Sequence, residues 1–189
     1  MKTINNTVVA LFLAVALLAA PSITVAFSAK TPRSSSRAPN PVIKVAAQGM
    51  GLLKPLFRLE AQIQAAALGA LTGLDKEQVS AELDKTIAKN KVLIYTYALS
   101  PFSTEAMAML DASGYEYKQI ELGIEWFVLG PSGSETRVLL SEKIENGATS
   151  LPKIFIGGTC IGGCAELASL VETGELDSLA KKAGVRKTA

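Results

Sequence analysis

Three short stretches hold residues whose types and spacing fit chemistry. Ser100-Pro101-Phe102-Ser103 places two hydroxyls where an apolar run gives way to a helical pattern. Gly162-Gly163-Cys164-Ala165-Glu166 opens another helix, whose first N–H groups lack intrahelical partners and favour an anion or a thiolate. Ser150-Leu151-Pro152 lies between them, directly ahead of the apolar run from Lys153 to Ile156. Each stretch also has a purely structural use. Ser100 followed by Pro101 is a good N-cap with proline at the first helical position, and a double glycine before a helix is usually a turn. Cys160 and Cys164 are the only cysteines, too few for a disulfide framework. They either pair or serve separately, as a half-buried strand residue and a small residue at a helix start. A turn between them need not bring their Cβ atoms within bonding distance. The chain has no histidine, which removes Cys–His catalysis, Ser–His triads and His-ligated metals.

The elements that must position these stretches follow from periodicity. Val92 to Tyr97 reads as a buried strand, and the helix after it carries Met107 and Leu110 one turn apart and ends at Ser113-Gly114. Tyr115 to Leu122 alternates as a second strand. The apolar run from Ile124 to Leu129, with the only tryptophan, reads as an extension of that strand packed on the core, or as an insertion presenting aromatic surface. Gly-Pro-Ser-Gly ends it, and a helix runs from about Ser134 to Glu145. Lys153 to Ile156 and Thr159 to Ile161 flank Gly157-Gly158 as a hairpin. Helices from Cys164 and around Leu176 to Ala183 close the chain. Ahead of the first strand, Asp75 to Gln78 forms a capping box for a helix with Val79, Leu83 and Ile87 on one stripe. The order α-β-α-β-α-β-β-α-α implies a parallel first pair with a right-handed crossover and an antiparallel closing hairpin. The expected fold is α/β, a mixed four-stranded sheet with helices on both faces in the thioredoxin-like arrangement.

The 189 residues suit one core plus an extension. Five of the 19 basic residues fall before residue 46 and no acid precedes Glu60, so the remainder carries 14 basic against 17 acidic side chains. That body offers no electrostatic footprint for nucleic acid. Lys2 and the apolar run Val8 to Ala20, with Thr24-Val25-Ala26 for cleavage, read as a signal peptide over residues 1–26. The Ser-, Pro- and base-rich stretch 27–47 is transit-peptide-like, and the two together resemble the bipartite plastid-targeting leaders of algae. Plain secretion is the alternative. Residues 48–74 form an amphipathic linker helix with Leu52, Leu56, Leu59, Ile63, Ala66 and Ala70 on one face and Lys54, Arg58, Glu60, Gln62 and Gln64 on the other. It packs on its own domain, or lies on a membrane surface or in a partner groove through residues 52–71. The domain proper spans 75–189.

Taken together and in order, the three stretches resemble those of glutaredoxins, over about residues 76 to 184. The strand and turn match the family's Cys-Pro-Tyr-Cys or Cys-x-x-Ser motif, Ser150-Leu151-Pro152 matches Thr-Val-Pro with its cis proline, and Gly162 to Leu167 matches the Gly-Gly-Cys-Asp-Asp helix start. The resemblance implies a glutathione groove: Leu151 and Pro152 facing its cysteinyl part, and amides of Gly163, Cys164 and Ala165 receiving its γ-glutamyl carboxylate. It also places Ser100 and Ser103 where the family has its active-site cysteines. A serine hydroxyl forms no mixed disulfide and ligates no cluster, so both are expected to be inactive. Tyr97 stands where the family has a lysine, which removes a cation from the groove. Cys164 is then the candidate surrogate thiol, with a lowered pKa. Three functions compete: a glutathione-dependent oxidoreductase working through Cys164; a binding module that has lost its thiols and holds glutathione or a plastid protein; and a structural subunit held at a membrane surface by the linker helix. No metal is expected.

Overall fold

The computed structural model describes residues 40–41 and 54–187. The leader segments 1–26 and 27–47 therefore lie outside the described residues except for Asn40 and Pro41, as do residues 48–53 of the linker helix. Helix α1 spans Lys54–Thr72 and α2 spans Lys76–Lys89; then come β1 (Val92–Tyr97), α3 (Pro101–Ser113), β2 (Lys118–Gly123) and α4 (Pro131–Glu142). The hairpin β3 (Lys153–Ile156) and β4 (Thr159–Gly162) follows, then α5 (Cys164–Thr173) and α6 (Glu175–Lys182). The sheet order is β2-β1-β3-β4. β1 pairs parallel with β2 and antiparallel with β3, and β3 pairs antiparallel with β4. This is the expected mixed thioredoxin-like sheet.

β1 is buried on both faces, so its apolar residues feed two cores. Val92 and Ile94 point to one side, with Met109 and Leu110 of α3, Leu167 of α5 and Leu176 of α6. Leu93, Tyr95 and Tyr97 point to the other, with Leu83 and Ile87 of α2 and Leu140 of α4. Sequence cues fix several joints directly. Asp75 caps α2 by accepting the Gln78 N–H at 2.9 Å. Gly157 and Gly158 take φ of +58° and +84°, the two left-handed positions that a two-residue hairpin turn requires.

Three expectations are corrected. Tyr115 does not begin β2: it forms an isolated bridge to Lys187, and the strand starts at Lys118. Ile124 to Val128 is not a strand extension but a turn, with Ile124, Phe127 and Val128 exposed and Leu129 buried. Gly130-Pro131 does not end an element; Pro131 opens α4, the position where its missing N–H costs nothing.

The largest correction concerns α1. It packs on its own domain, against α4, but through the face expected to be solvent-exposed. Glu60, Ala61, Gln64, Ala65 and Gly69 are buried, while Leu56, Leu59, Ile63 and Leu71 are 40% to 69% exposed. The small residues Ala61, Ala65 and Gly69 let the helix approach closely, and Glu60 finds a buried cation there. The row of leucines is left facing outward.

Candidate functional site

The turn between β1 and α3 is held by its serines. Ser100 is the N-cap of α3, its Oγ accepting the Ser103 N–H at 3.3 Å, with Pro101 in the first turn. The Ser103 Oγ accepts the Tyr97 N–H at 3.3 Å. Ser103 is fully buried and Ser100 nearly so. Both oxygens are thus engaged by backbone donors, and the chain has no histidine to take a proton from either. The arrangement caps a helix and gives no activated nucleophile.

The Leu151–Pro152 bond is cis. Leu151, Pro152, Gly163, Cys164 and Ala165 border one cavity of about 310 Å³, at the small end of the range for small-molecule sites. Phe102 brings the turn to the same wall; Ser100 and Ser103 are not on it. Three separated stretches of sequence therefore converge on one groove. A larger and more open cleft of about 470 Å³ lies between α2, β2 and α4, but none of the three stretches reaches it.

At the start of α5 the Glu166 carboxylate accepts the Gly163 N–H at 2.8 Å. Gly162 is required there: its φ is +113°, and a Cβ would lie 2.6 Å from the Glu166 Cγ. The glutamate thus closes one end of the helix opening.

Cys164 does not have the lowered pKa expected of a thiol at a helix start. It is 5% exposed and packed in the core with Met109 and Leu167, and burial, with Glu105 and Glu166 adding to it, pushes the thiol up to about 11. Cys160 is also raised, chiefly by burial. Both thiols are free. Cys160 packs against the α2–α4 side of the sheet and Cys164 in the core on the opposite side, so the considered pairing does not form.

Two buried cations carry no mark in the sequence, one behind the groove's Thr149–Ser150 edge and one on its wall. Arg137 of α4 is 2% exposed; its Nη1 donates to the Glu60 carboxylate at 2.8 Å and its Nε to the Thr149 carbonyl at 3.2 Å, one residue before Ser150. Its guanidinium also sits 5.6 Å from the centre of the Trp126 ring, and Trp126 meets Phe57 of α1 edge-on. Burial pushes the Glu60 carboxyl up against the opposing pull of Arg137. Tyr97 feels the charges of both Arg137 and Glu60, and its phenol is raised chiefly by burial. Lys153, directly after Pro152, is 2% exposed; its Nζ donates to the Ser150 carbonyl at 2.6 Å, and it borders the cavity together with Lys54 of α1. No group of histidine, cysteine or acidic side chains among the described residues is arranged to hold a metal.

No protein-family model matches the chain. It is 33% identical over 98 residues to a glutaredoxin of Ricinus communis, covering 52% of this chain and 89% of that one. It is likewise 33% identical over 98 residues to monothiol glutaredoxin-S12, chloroplastic, of Arabidopsis thaliana, covering 51% of that longer protein. Among solved structures, oxidised glutaredoxin 2 of Chlamydomonas reinhardtii superposes with a TM-score of 0.50 at 26% identity, over 59% of this chain and 98% of the other. The buckwheat glutaredoxin–glutathione complex superposes with a TM-score of 0.52 over 60% and 96% of the two chains; at 20% identity it speaks for the fold alone. With the sheet order, the cis proline and the converging groove, these similarities show that the chain belongs to the glutaredoxin family.

Proposed function

We propose that this glutaredoxin-like chain is a binding module that holds glutathione, free or attached to a partner, without thiol–disulfide turnover. One observation carries the reading: the groove walls persist while both hydroxyls of the turn are committed to backbone N–H groups. Leu151 and Pro152 line the groove, and the Cys164 and Ala165 amides suit a carboxylate; the Gly163 N–H expected to join them is taken by Glu166. A buried Cys164 with a raised pKa is a poor substitute nucleophile, because the thiolate is the reactive form. The transit-like leader and the chloroplastic relative support a plastid setting.

The test is glutathione-dependent reduction of a small glutathione mixed disulfide by the full-length chain, its Ser100→Cys variant and its Cys164→Ser variant. Wild type is expected to show no turnover above buffer, and Ser100→Cys to gain it, since the groove then holds a thiol at the helix N-terminus. Wild-type turnover that vanishes in Cys164→Ser would overturn the reading and make the chain an oxidoreductase.

A second reading is favoured by the outward row Leu56, Leu59, Ile63 and Leu71 of α1. No described helix is long and apolar enough to cross a membrane. An exposed apolar row on a docked helix suits contact with a membrane surface. Flotation with anionic vesicles is expected to recover wild type and to lose the Leu59→Gln, Ile63→Gln double variant. Equal flotation of both, or of neither, would reject the membrane and leave a protein partner.

A further inference from the structure

The cleft between α2, β2 and α4 has no part in the groove. Its volume of about 470 Å³ falls within the range of small-molecule sites. Two ion pairs tie its helical walls together. Lys76 of α2 meets Glu135 of α4 at 3.2 Å, and Lys143, the C-cap of α4, meets Asp84 of α2 at 2.6 Å. The cleft is thus formed before any ligand arrives, which spares a ligand the cost of ordering it. Between the helices the sheet stays partly uncovered: Ile120 and Leu122 of the edge strand β2 are only half-buried, and Tyr95 of β1 stands next to Ile120 in register. Tyr95 is 3% exposed, its ring meets Phe155 edge-on at 6.2 Å, and no described residue engages its hydroxyl in a hydrogen bond. A buried phenol usually has a partner. This one feels the charge of Glu82, which lines the same cleft. Charge on the lining has one sign, since Asp75 and Glu82 border the cleft and no basic residue does. Lys76 and Lys143 are taken by Glu135 and Asp84. Lys85 approaches Glu82 at 3.9 Å, but both side chains are at least 70% exposed, so water screens the contact. Asp75 accepts the Gln78 N–H through one of its two oxygens.

We propose that this cleft is a second ligand site, for a small amine carried on an apolar body. The body lies over Ile120, Leu122 and Leu83, and the ammonium donates to the Tyr95 hydroxyl and to Glu82. Each part of such a ligand answers one feature of the cleft. The apolar body covers sheet residues that the two helices leave open, and the ammonium gives the phenol its missing partner. An anion on the same body would meet two carboxylates and no cation, so the sign of the ligand's charge decides binding. The site stands apart from the groove and holds or fails independently of what the groove binds.

The experiment is titration calorimetry at pH 7 with the full-length chain and its Tyr95→Phe and Glu82→Gln variants. The probes are tryptamine, a cation at this pH, and indole-3-acetate, an anion on the same ring system. Wild type is expected to bind tryptamine about tenfold or more tightly than indole-3-acetate. Glu82→Gln, at an exposed position that leaves the core untouched, is expected to bring that preference below about threefold. Tyr95→Phe keeps the ring on Phe155 and is expected to weaken tryptamine by a similar factor. Saturating glutathione is expected to leave the tryptamine affinity unchanged. No tryptamine binding by wild type, or equal affinity for the two probes, would overturn the site. So would an undiminished preference in Glu82→Gln, unchanged tryptamine affinity in Tyr95→Phe, or displacement by glutathione, which would put the amine in the groove.

Discussion

At Lys153 a flexible cation that sequence would place in water sits instead buried beside a cis proline, on a cavity that Lys54 of α1 also borders. Its folded pKa of about 8 lies below the ordinary lysine value of 10.5, so the unfolded chain holds the proton over a window in which the folded chain has released it. Stability from this group therefore rises as pH increases through about 8. Lys153→Met removes the buried charge, and its gain over wild type in urea unfolding is expected to be a few kcal/mol at pH 7 and to shrink by pH 9. A constant difference would mean that Lys153 is not desolvated as described. Single residues were unevenly legible. The two serines could be assigned because their neighbours Pro101 and the strand before them fix a local cap. For Cys164 the sequence leaves a reactive thiol and a plain small residue at the helix start both open; burial in the core outweighs the helix start and favours the second. Arg137 could not be found at all: its partner Glu60 lies 77 residues away, and nothing in the local pattern of α4 marks a buried guanidinium.

Helix α1 shows what periodicity conveys about an element and what it withholds. The stripe of Leu56, Leu59 and Ile63 correctly announces a helix, yet the domain takes the opposite face because Ala61 and Ala65 permit close approach and Glu60 meets Arg137. Hydrophobicity alone would have reversed this. Ala61→Leu, at a fully buried position, is expected to cost about 1–3 kcal/mol in chemical denaturation through overpacking. Leu59→Gln, at 57% exposure, is expected to stay within about 0.5 kcal/mol of wild type. The reverse ranking would restore the face read from the sequence. By contrast the hairpin of β3 and β4 and the cap of α2 were legible because each depends on two or three adjacent residues. The turn at Ile124 to Val128 was not, since its apolar composition matches a strand while its aromatic ring is claimed by Phe57 and Arg137 from elsewhere.

For the molecule as a whole, the order of elements was enough to give the sheet, because a strand–helix–strand unit and a terminal hairpin leave few ways to assemble four strands. The groove followed from three stretches that only the completed fold brings together. The sheet that assembles them also keeps the two thiols apart, one in each core, while the turn offers hydroxyls. Held in separate cores, the chain's two cysteines form no dithiol couple with each other. Under the binding reading proposed above, occupancy of the groove follows ligand concentration and not electron supply.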